Sequence, residues 1–171
     1  MGKFDRYPGE AQLVFPEQMI GTYYLVVPSG IVGKKNMNTD TLFYSITQTS
    51  VIIKDSSKTE VKPLSSNQVL SLVQNKYFVL SNKDNEDPDY WNCMVHVVDK
   101  KSLTIYPAVD ESRNTDLKKF FKPKFLRLNN NKDSVFVYEM HDANFLQYVN
   151  KELKKSNHSI KLKKLTSNTI N

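Results

Sequence analysis

Hydrophobic and polar positions alternate along many short stretches of the chain, and the most apolar of these stretches is Ile20–Val27. Every second residue of a strand faces the same side, and here both sets of residues are largely apolar or aromatic. The pattern predicts a strand that is covered on both faces and lies in the middle of the fold. Pro28 and Gly30 end it, because proline cannot donate to a strand ladder.

Further alternating stretches predict three hairpins, formed by Leu42–Thr47 with Val51–Lys54, Tyr90–Val98 with Leu103–Tyr106, and Phe125–Leu128 with Ser134–Met140. Tyr77–Ser81 predicts another strand, and Lys58–Lys62 predicts a short edge strand that ends at Pro63. Asn67–Gln74 fits either a helical turn or a strand, and its short length favours a strand.

Two stretches have helical periodicity. Asn114–Phe121 predicts a short helix that ends before Pro123. Asp142 is expected to cap a longer helix over Ala143–Lys155, whose apolar residues share one face. These residues are Phe145, Leu146, Val149 and Leu153. Ile160–Leu165 then predicts a final strand.

Eight or nine short strands followed by one late helix predict a mainly β fold. We expect an antiparallel barrel or a strongly curved sheet with a C-terminal helix packed on it. A chain of 171 residues is long enough to bury a core as one domain, which would cover residues 1–171. Within it we expect a polar lead-in at 1–19, the barrel or sheet at 20–140, the helix at 141–156 and the final strand at 159–166.

A resemblance to a known family begins at the first predicted strand. Gly21-Thr22-Tyr23-Tyr24, after a proline-bearing lead-in, resembles the Gly-x-Trp opening of lipocalin-like (calycin) barrels, with Tyr23 where the family has Trp. The late helix followed by a short strand also resembles the C-terminal layout of that family. The resemblance implies a cup that binds a small apolar ligand or, as in bacterial members, a lipid-anchored envelope lipoprotein.

The net charge of +6 belongs entirely to the last third of the chain, since residues 1–114 are close to neutral. Four lysines there predict a basic surface: Lys154, Lys155, Lys161 and Lys163. These positions also have a structural explanation: cations near a helix C-terminus offset the helix dipole, and lysines on an edge strand protect it from pairing with other chains. The alternative is an anionic partner, for which membrane lipid is favoured over nucleic acid, because the run has no arginine and no stacking platform.

Candidate catalytic and metal-binding residues do not form a convincing set. Cys93 and His96 are three positions apart on a predicted strand and so fall on opposite faces, with Cys93 on the apolar side. One cysteine and three scattered histidines do not supply a zinc site. The acidic loop at 84–89 lacks the ligand spacing of a calcium loop. We therefore predict no catalytic residues, no metal and no cofactor.

These observations predict a non-enzymatic binding module. In the first hypothesis a lipocalin-like barrel holds a small apolar ligand, or acts as an envelope scaffold, and is lined by Tyr23, Tyr44, Tyr77 and Trp91. In the alternative, a protein with a solid core docks through its basic C-terminal third. The polar start of the chain fits an envelope or periplasmic protein whose leader has been removed, with the cytoplasm as the alternative. The sequence makes no prediction of oligomeric state.

Overall fold

The structure, a computed structural model, describes residues 2–28, 39–84, 89–108, 114–128, 134–153 and 159–166. Within these ranges the strands are β1 (Gly2–Phe4), β2 (Glu10–Gln12), β3 (Gly21–Pro28), β4 (Thr39–Ile46), β5 (Ser50–Lys54), β6 (Thr59–Pro63), β7 (Gln68–Val73), β8 (Tyr77–Lys83), β9 (Trp91–Val98), β10 (Ser102–Pro107), β11 (Pro123–Leu128), β12 (Ser134–Tyr138) and β13 (Ile160–Lys164). The helices are α1 (Asn114–Phe120), α2 (Asp142–Lys151) and a 3-10 helix at Glu17–Met19.

The predicted fold class is confirmed: the protein is mainly β, its strands pair almost entirely antiparallel in a strongly curved sheet, and α2 packs on that sheet. All three predicted hairpins form, and the ambiguous stretch at Asn67–Gln74 is the strand β7. No helix among the described residues has the length and apolar character needed to cross a membrane.

The chain forms two compact units, each assembled from three separate segments. The first unit consists of 1–13, 65–97 and 105–160, and the second of 14–64, 98–104 and 161–171. Each unit therefore depends on pairings between residues that lie far apart in the sequence.

In the first unit the strand order is β11-β12-β1-β9-β8-β7-β2. Both helices pack on one face of this sheet. The ring of Phe4 on β1 lies 5.2 Å from that of Phe121 and 6.1 Å from that of Phe145 on α2. At the start of β8, the Tyr77 hydroxyl donates to Asn150 Oδ1 on the same helix at 2.7 Å. Strands two places apart in the order, β1 and β8, therefore both contact α2.

The predicted polar lead-in contributes two strands to this sheet. β1 fills the gap between β9 and β12, and it pairs with β12 in parallel, which departs from the all-antiparallel order of an up-and-down barrel. Phe4 is fully buried. Lys3 is buried on the opposite face, where its Nζ lies 2.8 Å from the carboxylate of Asp84. Asn92 donates a second hydrogen bond to that carboxylate at 3.1 Å.

Helix α2 forms at the predicted place but ends at Lys151, with Glu152 as its C-cap, rather than at Lys155, and its start also differs from the prediction. The N-cap residue is His141, and Asp142 is the first helical residue. The carboxylate of Asp142 instead accepts hydrogen bonds from the backbone N–H of Gly9 and from Arg6 Nη2, both at 3.1 Å. These donors belong to the lead-in, so the carboxylate ties two distant segments together rather than capping its own helix.

In the second unit the strand order is β13-β3-β4-β5-β6, and the start of β10 lies beside β13. One face of this sheet is buried and carries Tyr23, Tyr44, Ile46 and Val51. The prediction that β3 is covered on both faces is wrong. On the side opposite Tyr23, Val26 is 49% exposed and Tyr24 is only partly buried, and no helix of this unit covers that side of β3 in the described residues.

Candidate functional site

A tight turn between β9 and β10 forms one side of the site. One carboxylate oxygen of Asp99 accepts the backbone N–H groups of Lys101 and Ser102 at 2.7 Å, and the other accepts the Ser102 hydroxyl at 2.6 Å. This is the local side-chain turn that aspartate favours. The Ser102 hydroxyl, then the Lys101 N–H, lower the pKa of Asp99, and the charge of Lys161 adds to the effect. The turn leaves Lys100 and Lys101 exposed.

Strand β13 forms the other side. Leu162 is buried and anchors the strand, while Lys161 and Lys163 alternate with it and are exposed. Lys163 pairs with Tyr24 on β3. The backbone N–H of Lys164 donates to the Lys101 carbonyl at 2.8 Å, which joins β13 to the β9–β10 turn.

The β9–β10 turn, β13 and β3 line an open cleft of about 770 Å³ in the second unit. Its lining residues are Tyr24, Asp99, Lys100, Lys101, Ser102, Lys161, Lys163, Lys164 and Thr166. Five are lysines, but the side chain of Lys164 faces the other side of β13, where its Nζ lies 5.7 Å from the centre of the Tyr23 ring. The one carboxylate among these residues, that of Asp99, is hydrogen-bonded within its own turn. Positive charges that are concentrated in a concave surface focus the electric field and attract anions. We call this feature the basic cleft.

The basic cleft contains half of the predicted basic surface. Lys161 and Lys163 line it, whereas Lys154 and Lys155 lie outside the described residues. Lys164 belongs to the same basic run that the sequence singles out, whereas sequence analysis missed Lys100 and Lys101. The turn itself was predictable from its composition, but its proximity to β13 was not, because that depends on the pairing of strands about 60 residues apart.

The four aromatic residues predicted to line a ligand cavity divide between the two units. Tyr23 and Tyr44 form a cross-strand pair in the second unit, and the Tyr23 hydroxyl donates to the Met19 carbonyl at 3.0 Å. Tyr77 and Trp91 belong to the core of the first unit. All four are buried. Their role in binding an apolar ligand stays a prediction.

Cys93 and His96 are on opposite faces of β9, as predicted, and neither is ionised near neutral pH. Burial raises the pKa of the Cys93 thiol to about 12, although the Ser81 hydroxyl donates to its Sγ at 3.4 Å. Burial lowers the pKa of His96 to about 4, and its Nδ1 lies 3.1 Å from the Met94 carbonyl oxygen. These two residues are therefore part of the packed interior and do not form a nucleophile–base pair.

Comparison of the chain with protein-family models, with curated proteins and with solved structures finds no match. The function has to be inferred from the geometry of the chain itself.

Proposed function

We propose that this protein is a non-enzymatic binding module that docks on an anionic lipid surface through the basic cleft. The observation that carries the proposal is the convergence of four exposed lysines, from two segments far apart in the sequence, on one open cleft with a single carboxylate among its described lining residues. These lysines are Lys100, Lys101, Lys161 and Lys163. A lysine close to an anionic membrane contributes about 1 kcal/mol of attraction, so several acting together give substantial attachment.

The type of cation supports lipid headgroups over nucleic acid. No arginine is among the described residues that line the basic cleft, so these residues do not offer the bidentate contacts that guanidinium groups make with phosphate and base edges. Tyr24 is the one aromatic residue among the described lining residues, which is too few for a series of stacked bases. Lysine is a hydrated point charge on a flexible stem, and it tolerates the variable positions of headgroup phosphates.

Two earlier expectations fit this proposal. A protein of the bacterial envelope works beside anionic headgroups, and a lipid anchor of the kind implied by the lipocalin-like resemblance would add to a weak electrostatic attachment. Two weak signals that act together give stable membrane association, whereas either alone is reversible.

The test is co-sedimentation with vesicles of phosphatidylcholine alone and of phosphatidylcholine with one-fifth phosphatidylserine. We expect the wild type to sediment with the anionic vesicles only, and to be released as salt rises, because the Debye length is only about 8 Å at physiological ionic strength. Replacing Lys100, Lys101, Lys161 and Lys163 with Gln should weaken attachment by roughly a thousandfold, at about 1 kcal/mol for each lysine.

The matched control replaces four exposed lysines of the first unit with Gln: Lys76, Lys119, Lys122 and Lys151. It makes the same change in net charge away from the basic cleft. An equal loss of binding in both variants would show that only net charge matters. No sedimentation of the wild type at low salt would refute the proposal.

A further inference from the structure

Next to the basic cleft, one face of the second unit's sheet is apolar and yet in contact with solvent. Antiparallel pairing brings Tyr24 opposite Phe43, and Ile52 opposite Val61. Val26 lies two residues after Tyr24 and therefore on the same side of β3. We call these five residues the apolar face. The other side of the same strands carries the buried residues Tyr23, Tyr44 and Val51.

Part of the apolar face is exposed to solvent in the described residues. Val61 is 59% exposed and Val26 is 49% exposed, while Tyr24, Phe43 and Ile52 are partly buried. An antiparallel sheet with one face on the core normally places polar residues on the other face. Isolated exposed apolar residues are ordinary, but five apolar residues on one side of four adjacent strands, interrupted by Ser45 and Lys54, favour an interaction surface.

The apolar face and the basic cleft belong to one continuous surface. Tyr24 lines the basic cleft and also pairs with Phe43. Along this row of the sheet, Lys163 on β13 pairs with Tyr24, and Lys54 on β5 pairs with Phe43. A tyrosine and a phenylalanine are therefore flanked by a lysine on each side.

From this arrangement we infer that the apolar face enters the headgroup layer of an anionic membrane while the flanking lysines contact its phosphates. The inference rests on the proposed function and adds the orientation of the bound protein. Lysine stems pack along apolar surface and keep their charge in the headgroups, and tyrosine has both an apolar ring and a polar end that suit this layer. Charge complementarity selects this partner: packing against a second copy of the same face would bring Lys54 and Lys163 near other lysines.

Tryptophan reporters test the inference. Val26→Trp and Val61→Trp each place an indole on the apolar face, and Leu13→Trp places one on the first unit at a residue that is 89% exposed. The native Trp91 is buried and gives a constant background in every variant. Each variant is mixed with vesicles containing phosphatidylserine and phosphatidylcholine with brominated acyl chains, which quench only indoles that enter the bilayer.

We expect a blue shift and strong quenching for Val26→Trp and Val61→Trp, and neither for Leu13→Trp. The variant with Val26→Asp and Val61→Asp should bind anionic vesicles at least about tenfold more weakly than the one with Val26→Ser and Val61→Ser, which loses the apolar groups without adding charge. Thermal unfolding at the wild-type temperature would show that the variants are folded.

The outcomes separate the two proposals. Vesicle binding without quenching at either position would overturn the inference and leave the proposed function intact. No binding of the wild type to anionic vesicles would refute both. A dimer in sedimentation velocity that the two Asp substitutions dissociate would also overturn the inference, since the apolar face would then be an interface between copies.

Discussion

The two units differ in how much of their sheet is buried. In the first unit, aromatic rings on β1, β12 and α2 surround Phe121, which directly follows α1, and the helices cover this side of the sheet. In the second unit the sheet is buried on one side, and its other side carries the apolar face and the basic cleft. The difference predicts that substitutions in the core of the first unit cost more stability than substitutions on the apolar face of the second.

We expect the largest loss of stability from a substitution in the core of the first unit. Phe145→Ala removes a fully buried ring that lies near both Phe4 and Phe121, and it should lower the free energy of unfolding by about 3–5 kcal/mol. The matched variant Phe43→Ala removes a partly buried ring from the apolar face and should cost less than half as much. Urea unfolding measures both. Equal losses would mean that the two units do not differ in this way.

A buried histidine makes the stability of the first unit depend on pH. The pKa of His96 is lowered to about 4 in the folded protein, whereas it is about 6.5 in the unfolded chain. Between these values the unfolded state binds more protons, so stability is complete above about pH 6.5 and falls as the pH falls towards 4. The loss should amount to about 3 kcal/mol.

The substitution His96→Gln isolates this contribution from the carboxylates that titrate over the same range. It should lower stability at pH 7 and flatten the slope between pH 6.5 and 4, as measured by urea unfolding at several pH values. If the slopes of the variant and the wild type coincide, the imidazole is not the titrating group.

A smaller effect is expected where the lead-in meets α2. Asp142→Ala leaves the partly buried N–H of Gly9 without its acceptor and should cost about 1–2 kcal/mol. Asp142→Asn keeps an acceptor oxygen and removes only the exposed ion pair with Arg6, so it should cost less than 1 kcal/mol. Chemical denaturation compares the two. A larger loss for Asn than for Ala would show that charge, not the hydrogen bond to Gly9, is what matters.

The smallest effect on stability should come from the basic cleft. The four substitutions Lys100→Gln, Lys101→Gln, Lys161→Gln and Lys163→Gln should change the free energy of unfolding by no more than about 0.5 kcal/mol for each residue, because all four side chains are exposed. A net gain would fit the relief of repulsion between lysines. A loss of several kcal/mol would instead assign these lysines a structural role in the second unit.

The hairpins were predictable because alternation and turn residues act over a few positions. The segment Asp99–Ser102 formed as predicted for this reason. The position of β13 between β10 and β3 was not predictable, because it depends on distant pairing, and the basic cleft depends on it. Phe4 and Lys3 also gave no local signal of a central strand, since three residues are too few to show a period.

The prediction that β3 is covered on both faces failed for a different reason. Its sequence is apolar on both faces, which ordinarily indicates a strand buried on both sides. The structure leaves the side with Tyr24 and Val26 uncovered. Places where local pattern and observed environment disagree are often functional, and this disagreement is the origin of the proposed orientation on lipid.

The interleaving of the two units has a consequence for the order of events on the ribosome. β1 is made more than 130 residues before its parallel partner β12, and β3 likewise precedes its partner β13. Neither unit can complete its sheet until the later strand of its pair has been made. Strand edges of β1 and β3 therefore stay unpaired over this interval, and folding is completed only when loops of more than 100 residues close.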